Sequence, residues 1–420
     1  MTTPEQAPLQ RRLGLGDAVV IGLSSMIGAG VFVVFGPAAA AAGSGLLIGL
    51  AIAAAVAYCN ATSSARLAAR YPQSGGTYVY GRERLGEFWG YLAGWSFIVG
   101  KMASCAAMAL TVGLYLWPVH AHAVAVAAVA GLTAVNYRGI QKSALLTRLI
   151  ITVVLAVLAG VVAAVLLSGR ADPHRLTLIG GTPSGVLQAA GLLFFAFAGY
   201  ARIATLGEEV RDPAQTIPRA IRGALAITVA VYAAMAVILL AVLGPGLATS
   251  AAPLADAVRV AGVSWLEPVV RIGAAVAALG SLLSLILGIS RTGLAMARDG
   301  HLPSALAAVH PRFAVPHRAE VTVGVIVAVV AALADVRSAI GFSSFAVLVY
   351  YAIANASAWT LPGRRLIPVV GLAGCLLLAV FLPPISVLAG SAVLAAGAVI
   401  YAIARRTITG RGFRGGCGPP

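Results

Sequence analysis

Charge is scarce in this sequence: only 10 % of the 420 residues are Asp, Glu, Lys or Arg, and lysine occurs twice, at Lys101 and Lys142. A soluble domain carries about a quarter charged residues, so this chain has too little polar surface to face water. Cysteine is scarce as well. Cys59, Cys105, Cys375 and Cys417 are scattered, the first three inside apolar runs, and read as packing residues with neither disulfide nor metal spacing. The six histidines, His120, His122, His174, His301, His310 and His317, lie in or beside loops, again without ligand spacing, so no metal is expected. Buried acids are missing too. Asp17, Glu83, Glu87, Glu208, Glu209, Asp212 and Asp299 all fall near the ends of apolar runs, where they serve as salt-bridge partners and helix caps. With no buried carboxylate pair, His cluster or Ser–His–Asp set, an enzyme is not expected, nor a cofactor. The lack of a buried acid also argues against a cationic side chain on any substrate.

What is present is apolar. Hydrophobic residues make up 60 % of the chain, which also holds 48 Gly and 21 Pro, and the mean hydropathy is +0.95. Apolar runs fall near 17–41, 45–67, 88–117, 121–137, 147–168, 185–207, 219–243, 266–290, 320–336, 338–361, 366–382 and 385–404. At about 20 residues per crossing, they predict an all-α integral membrane protein of about twelve transmembrane helices and leave no room for a separate soluble domain. The third run is long; the ninth and eleventh are short. Residues 1–16 read as a cytoplasmic segment, the first run as a retained span without a cleavage site, and 405–420 as a Gly-rich cytoplasmic tail. The formal charge of +16 would suggest nucleic acid in a soluble protein, but here the arginines sit in short loops and cannot form one basic surface. Alternate loops hold Arg66, Arg70, Arg82 and Arg84, then Arg138 and Lys142, then Arg211, Arg219 and Arg222, then Arg291, Arg298, Arg312 and Arg318, then Arg364 and Arg365. The opposite loops hold little beyond Arg170, Arg175, Arg259 and Arg337, so both termini are expected in the cytoplasm. Two of the longer cytoplasmic loops, 69–86 and 291–319, are expected to form partly helical caps.

The chemistry concentrates in two spans. In the first, Gly28 and Gly30 bracket Ala29 halfway along an otherwise well-formed helix. Gly costs about 1 kcal/mol relative to Ala inside a helix, and non-helical backbone survives in the bilayer only where it is buried or lines a cavity. A break there frees amides at the positive end of a second half-helix, which suits a carboxylate. The alternative is close helix packing through small residues, Ser24 with Gly28 or Ser25 with Ala29. The sixth span repeats the feature: Gly199 stands among Phe194, Phe195, Phe197 and Tyr200. Two Gly-interrupted spans in corresponding halves point to a midplane binding site in a secondary transporter. Carbonyls on one side and amides on the other match a zwitterionic amino acid.

These residues resemble the amino acid–polyamine–organocation superfamily of permeases, which share the leucine-transporter-type fold. Four motifs carry the resemblance, in order: MIGAGVF at 26–32; YPQSGGTY at 71–78; FFAFAG at 194–199 with EEVRDP at 208–213 and IPRA at 217–220; and the segment 291–300 ending in ARDG. The resemblance implies two inverted five-helix repeats, about 17–168 and 185–361, with helices 1 and 6 broken and two extra helices over about 366–404. It also implies that the substrate carboxylate meets the amides around Gly28, Ala29 and Gly30, with Ile27 in the same break. The substrate amine then meets carbonyls of Met26 and of Phe195, Ala196 and Phe197, next to Gly199, and Phe195 forms an aromatic lid. The sequence departs from the family in three places. Ala29 replaces a common Ser, Ala201, followed by Arg202, stands where many relatives carry Glu, and the fifth span has no lysine where some proton-coupled members carry one.

Lys101, inside the third span, is therefore a coupling candidate, since an ionisable residue at that depth is costly and points to function. Its alternative is a structural pin on broken-helix carbonyls. Ser281 and Ser284 in the eighth span either join first-span carbonyls around Na⁺ or bond back to their own helix. The expected function is a secondary transporter moving an amino acid across the cell membrane by alternating access, coupled to H⁺ in preference to Na⁺ or working by exchange. A transporter-like sensor and a polyamine or cationic amino acid exchanger are the competing readings.

Overall fold

The computed structural model describes residues 13–71, 75–139, 144–177, 180–204 and 210–412, the side chains at 144, 204, 404 and 406–412 excepted. Lys142, Glu208, Glu209, Cys417 and the ends of both terminal segments, 1–12 and 413–420, lie outside the described residues. The first apolar run folds as α1 (Leu15–Met26), α2 (Gly30–Val33) and α3 (Phe35–Ala42), followed by α4 (Leu46–Arg70). Then come α5 (Thr77–Leu85), α6 (Glu87–Leu116), α7 (Ala121–Tyr137) and α8 (Ala144–Leu167). The second half comprises α9 (Pro183–Phe197), α10 (Ala201–Ala204), α11 (Pro213–Leu243), α12 (Pro253–Val260), α13 (Glu267–Arg298), α14 (His317–Leu333) and α15 (Val336–Trp359). α16 (Leu366–Phe381) and α17 (Pro384–Gly412) close the chain. Helix dominates because each backbone group in hydrocarbon needs a partner within its own segment. Among the described residues the only β pairing is an isolated bridge between Leu13 and Val210.

Among the described residues, ten helical segments are long and apolar enough to cross a membrane. The expected ninth and eleventh crossings correspond to α14 and α16, which at 17 and 16 residues fall short of that length. The structure thus gives an all-α membrane protein without fixing the count at twelve.

Small residues let the helices approach closely, as packing in lipid requires. A methyl group on Gly49 of α4 would lie 3.1 Å from the Val186 carbonyl of α9, and one on Gly100 of α6 would lie 2.9 Å from Ala346 Cβ of α15. The packing partners follow an exchange of the two halves. The first helix packs on α11 while α9 packs on α4; α1 packs on α8 while α9 packs on α15; and α6 packs on α13 at the centre.

The two loops expected to be partly helical contain α5 and a 3₁₀ turn at Ser304–Ala307. Tyr78 of α5 donates to Asp299 Oδ2 at 2.5 Å, and Arg82 Nη1 reaches the same oxygen at 3.0 Å. His301 lies against Tyr78, Tyr91 and Tyr401, and its Nδ1 is 2.9 Å from the Tyr78 hydroxyl. Removal from water holds the His301 pKa below the usual histidine value, outweighing the pull of Glu87 and Asp299. Arg148 pairs with Asp17 at the start of α1.

Candidate functional site

The first helix stops at Met26. Ile27 takes φ −84° and ψ 62°, which is not helical, and the chain resumes helix at Gly30. The amides of Gly28 and Ala29 make no backbone hydrogen bond among the described residues, and Gly30, as the first residue of α2, has no intrahelical acceptor either. α2 runs on into α3 through Val34, which keeps helical angles, so the second half-helix extends over 30–42. Its positive end points at the break and the negative end of α1 faces it from the other side.

The sixth span, helix 6, made of α9 (Pro183–Phe197) and α10 (Ala201–Ala204), changes form at the matching place. α9 ends at Phe197, a 3₁₀ turn covers Ala198–Tyr200, and α10 follows. Mid-helix 3₁₀ geometry exposes carbonyls that a regular helix would use. The two breaks touch. A methyl group on Gly199 would lie 2.1 Å from the Ser25 carbonyl oxygen and 2.7 Å from the Met26 amide nitrogen. One on Gly30 would lie 2.9 Å from Ala196 Cβ. Only glycine allows this approach of backbone to backbone.

Surrounding helices hold the exposed carbonyls. The single proton of the Tyr232 hydroxyl of α11 is shared between the Met26 and Ala196 carbonyls, whose oxygens lie 2.6 and 3.0 Å away. Lys101 Nζ donates to the Ala198 carbonyl at 3.2 Å, and the Tyr351 hydroxyl shares that carbonyl at 3.3 Å. Tyr115 OH takes the Phe32 carbonyl at 2.7 Å. Ser281 Oγ reaches the Ser24 carbonyl at 3.4 Å and lies where a Gly28 methyl would go, whereas Ser284 is exposed and bonds to Gly280 of its own helix. The structure therefore brings Met26, Ile27, Gly28, Ala29, Gly30, Phe195, Ala196, Phe197, Gly199, Lys101 and Ser281 into one cluster and leaves Ser284 outside it. Accessibility is one-sided. Residues 30–39 are all buried, while Ser24, Ser25 and Gly199 are half-buried and Arg202 is exposed.

Comparison with known proteins settles the family: the model described as Amino acid permease matches residues 17–362. The chain belongs to the amino acid permease family. It is a transporter, not an enzyme. This permease is 72 % identical over 410 residues to a protein named as an uncharacterized transporter of Mycobacterium tuberculosis, covering 96 % of this chain and 93 % of the other. It is 28 % identical to the branched-chain amino acid permease BcaP of Bacillus subtilis, over 95 % of this chain and 94 % of that one. It is also 28 % identical to human cationic amino acid transporter 4, over 82 % of this chain and 59 % of the relative.

Several residues of the permease escaped sequence reasoning. Tyr232 is the only aromatic residue in its apolar run, which was a usable signal. Asn60, Asn355 and Cys375 form a buried cluster, with Asn355 Nδ2 to Asn60 Oδ1 at 2.6 Å and Cys375 Sγ to the same oxygen at 3.3 Å. Cys375 is thus a donor as well as a packing residue. Glu320, in the first turn of α14, is 0 % exposed with neither carboxylate oxygen hydrogen-bonded, and the nearby His317 Nδ1 is also without a bond. Among the described residues, no group of three or more His, Cys, Asp or Glu could hold a metal ion. An apolar cleft of about 330 Å³, lined by Val99, Met102, Phe342 and Ile385 among others, includes none of the break residues.

Proposed function

We propose that this permease carries an amino acid across the cytoplasmic membrane by alternating access, with both termini in the cytoplasm. The observation that carries the reading is the contact of the two breaks at Gly199 against Ser25 and Met26. Amides near Gly28, Ala29 and Gly30 take the substrate carboxylate. The carbonyls of Met26 and of Phe195 to Phe197 take its ammonium; Tyr232 uses one lone pair on the Met26 and Ala196 oxygens, and each carbonyl retains a second. Residues 17–168 and 185–361 act as the two repeats, a division supported by the exchange symmetry of the packing. With the α1 side of the break the more exposed and the arginine-rich loops inside, the conformation is open to the cytoplasm.

Coupling runs through a proton on Lys101. Its nitrogen holds the Ala198 carbonyl of helix 6, so gaining or losing the proton changes how firmly that break is held. Ser284 is exposed while Ser281 is buried against the Ser24 carbonyl, so the two serines do not converge there as a Na⁺ site would need. Uptake driven by a pH gradient into proteoliposomes tests this: Lys101→Met abolishes accumulation above equilibrium. Full accumulation by that variant would rule out Lys101 as the coupling group.

A further inference from the structure

The Lys101 ammonium stands in the helix 6 break itself. Its acceptor, Ala198, directly follows Phe197, and the next residue, Gly199, abuts the end of α1. Lys101, Phe195 and Ser281, from α6, α9 and α13, are buried but not sealed, each keeping 8 % of its surface exposed. Among the described residues, the side chains that the fold places near the ammonium are neutral: Cys105 one turn along α6, the Ser104–Ser343 pair at 2.6 Å, and Tyr351 on the shared carbonyl beside Tyr200. No ion pair to Lys101 occurs among the described residues. An ammonium buried without a counter-charge is costly, and a ligand that supplies an acceptor relieves that cost.

We propose that Lys101 meets the side-chain end of the bound substrate and restricts the permease to amino acids without a positive side chain, favouring those with a side-chain acceptor: Asp, Glu, Asn and Gln. This rests on the permease reading of the two breaks. At an effective dielectric of about 20, like charges about 6 Å apart repel enough to lower affinity about a hundredfold. Arginine, lysine and polyamines are excluded by that repulsion, and among the described residues no ion pair to Lys101 offsets it.

Counterflow of labelled Gln, Glu, Leu and Arg into proteoliposomes containing the full-length protein tests the proposal. The wild type exchanges Gln and Glu best and Arg about a hundredfold more slowly than Gln. Lys101→Met brings Arg to within about tenfold of Gln, and Lys101→Arg, which keeps the charge, keeps the exclusion and guards against a folding defect in the first variant. Arg exchanged as fast as Gln by the wild type, or an Arg-to-Gln ratio unchanged in Lys101→Met, overturns the proposal and leaves the permease reading intact. A folded wild type that exchanges none of the four overturns both.

Discussion

Gly199→Ala is the sharpest probe of the contact between the breaks. The added methyl would lie 2.1 Å from the Ser25 carbonyl oxygen, 2.3 Å from its carbon and 2.7 Å from the Met26 nitrogen. All three are backbone atoms, so no rotamer change relieves the clash, and helix 1 must retreat by about 1.3 Å to restore an ordinary contact of 3.4 Å. Overpacking of this kind costs about 1–3 kcal/mol, equivalent to roughly 5- to 150-fold in the population of the arrangement with the two breaks in contact. Measured in proteoliposomes, KM rises within that range, and the melting temperature in detergent falls. Gly131→Ala in α7 and Gly160→Ala in α8 are the controls: nothing lies within 4 Å of either methyl position, and alanine favours helix by up to about 1 kcal/mol there. A Gly199→Ala protein with wild-type KM and melting temperature, or controls equally impaired, would refute the reasoning.

Tyr232→Phe removes the donor to the Met26 and Ala196 carbonyls; each unpaired buried acceptor costs about 1–3 kcal/mol, so melting temperature falls and KM shifts, and no change in either would count against a shared carbonyl site. His301 has a lowered pKa from burial, so the folded protein favours the neutral ring and the unfolded chain binds more protons as acid is added. Its contribution is present above the unfolded value of about 6.5 and is lost as pH falls through the lower folded value. His301→Gln therefore flattens the decline in melting temperature between about pH 7 and 5, and an identical slope in the variant would exclude this role.

Much of the architecture was legible because membrane helices are written in long apolar runs, and the helix 1 break because two glycines interrupt such a run at 28 and 30. Gly199 marked the helix 6 break, although the turn begins one residue earlier at Ala198. What the chain did not reveal is how the exposed carbonyls are satisfied, since Tyr232, Tyr351 and Tyr115 reach them from helices distant in sequence. Nor can spacing along one helix separate Ser281, which reaches helix 1, from Ser284, which bonds at i−4. Glu320 was lost at the edge of its run, because its burial depends on how α14 packs against α7 and α13. Lys101 stood out by its rarity, yet only the fold shows which carbonyl it holds.

The central claim is that an amino acid passes through the site formed by the two breaks. Counterflow without any ion gradient tests it most directly: liposomes preloaded with unlabelled amino acid and carrying the permease should take up labelled amino acid saturably, and Gly199→Ala should weaken that uptake. Saturable binding in a thermal-shift assay with no exchange across the liposome membrane would contradict it.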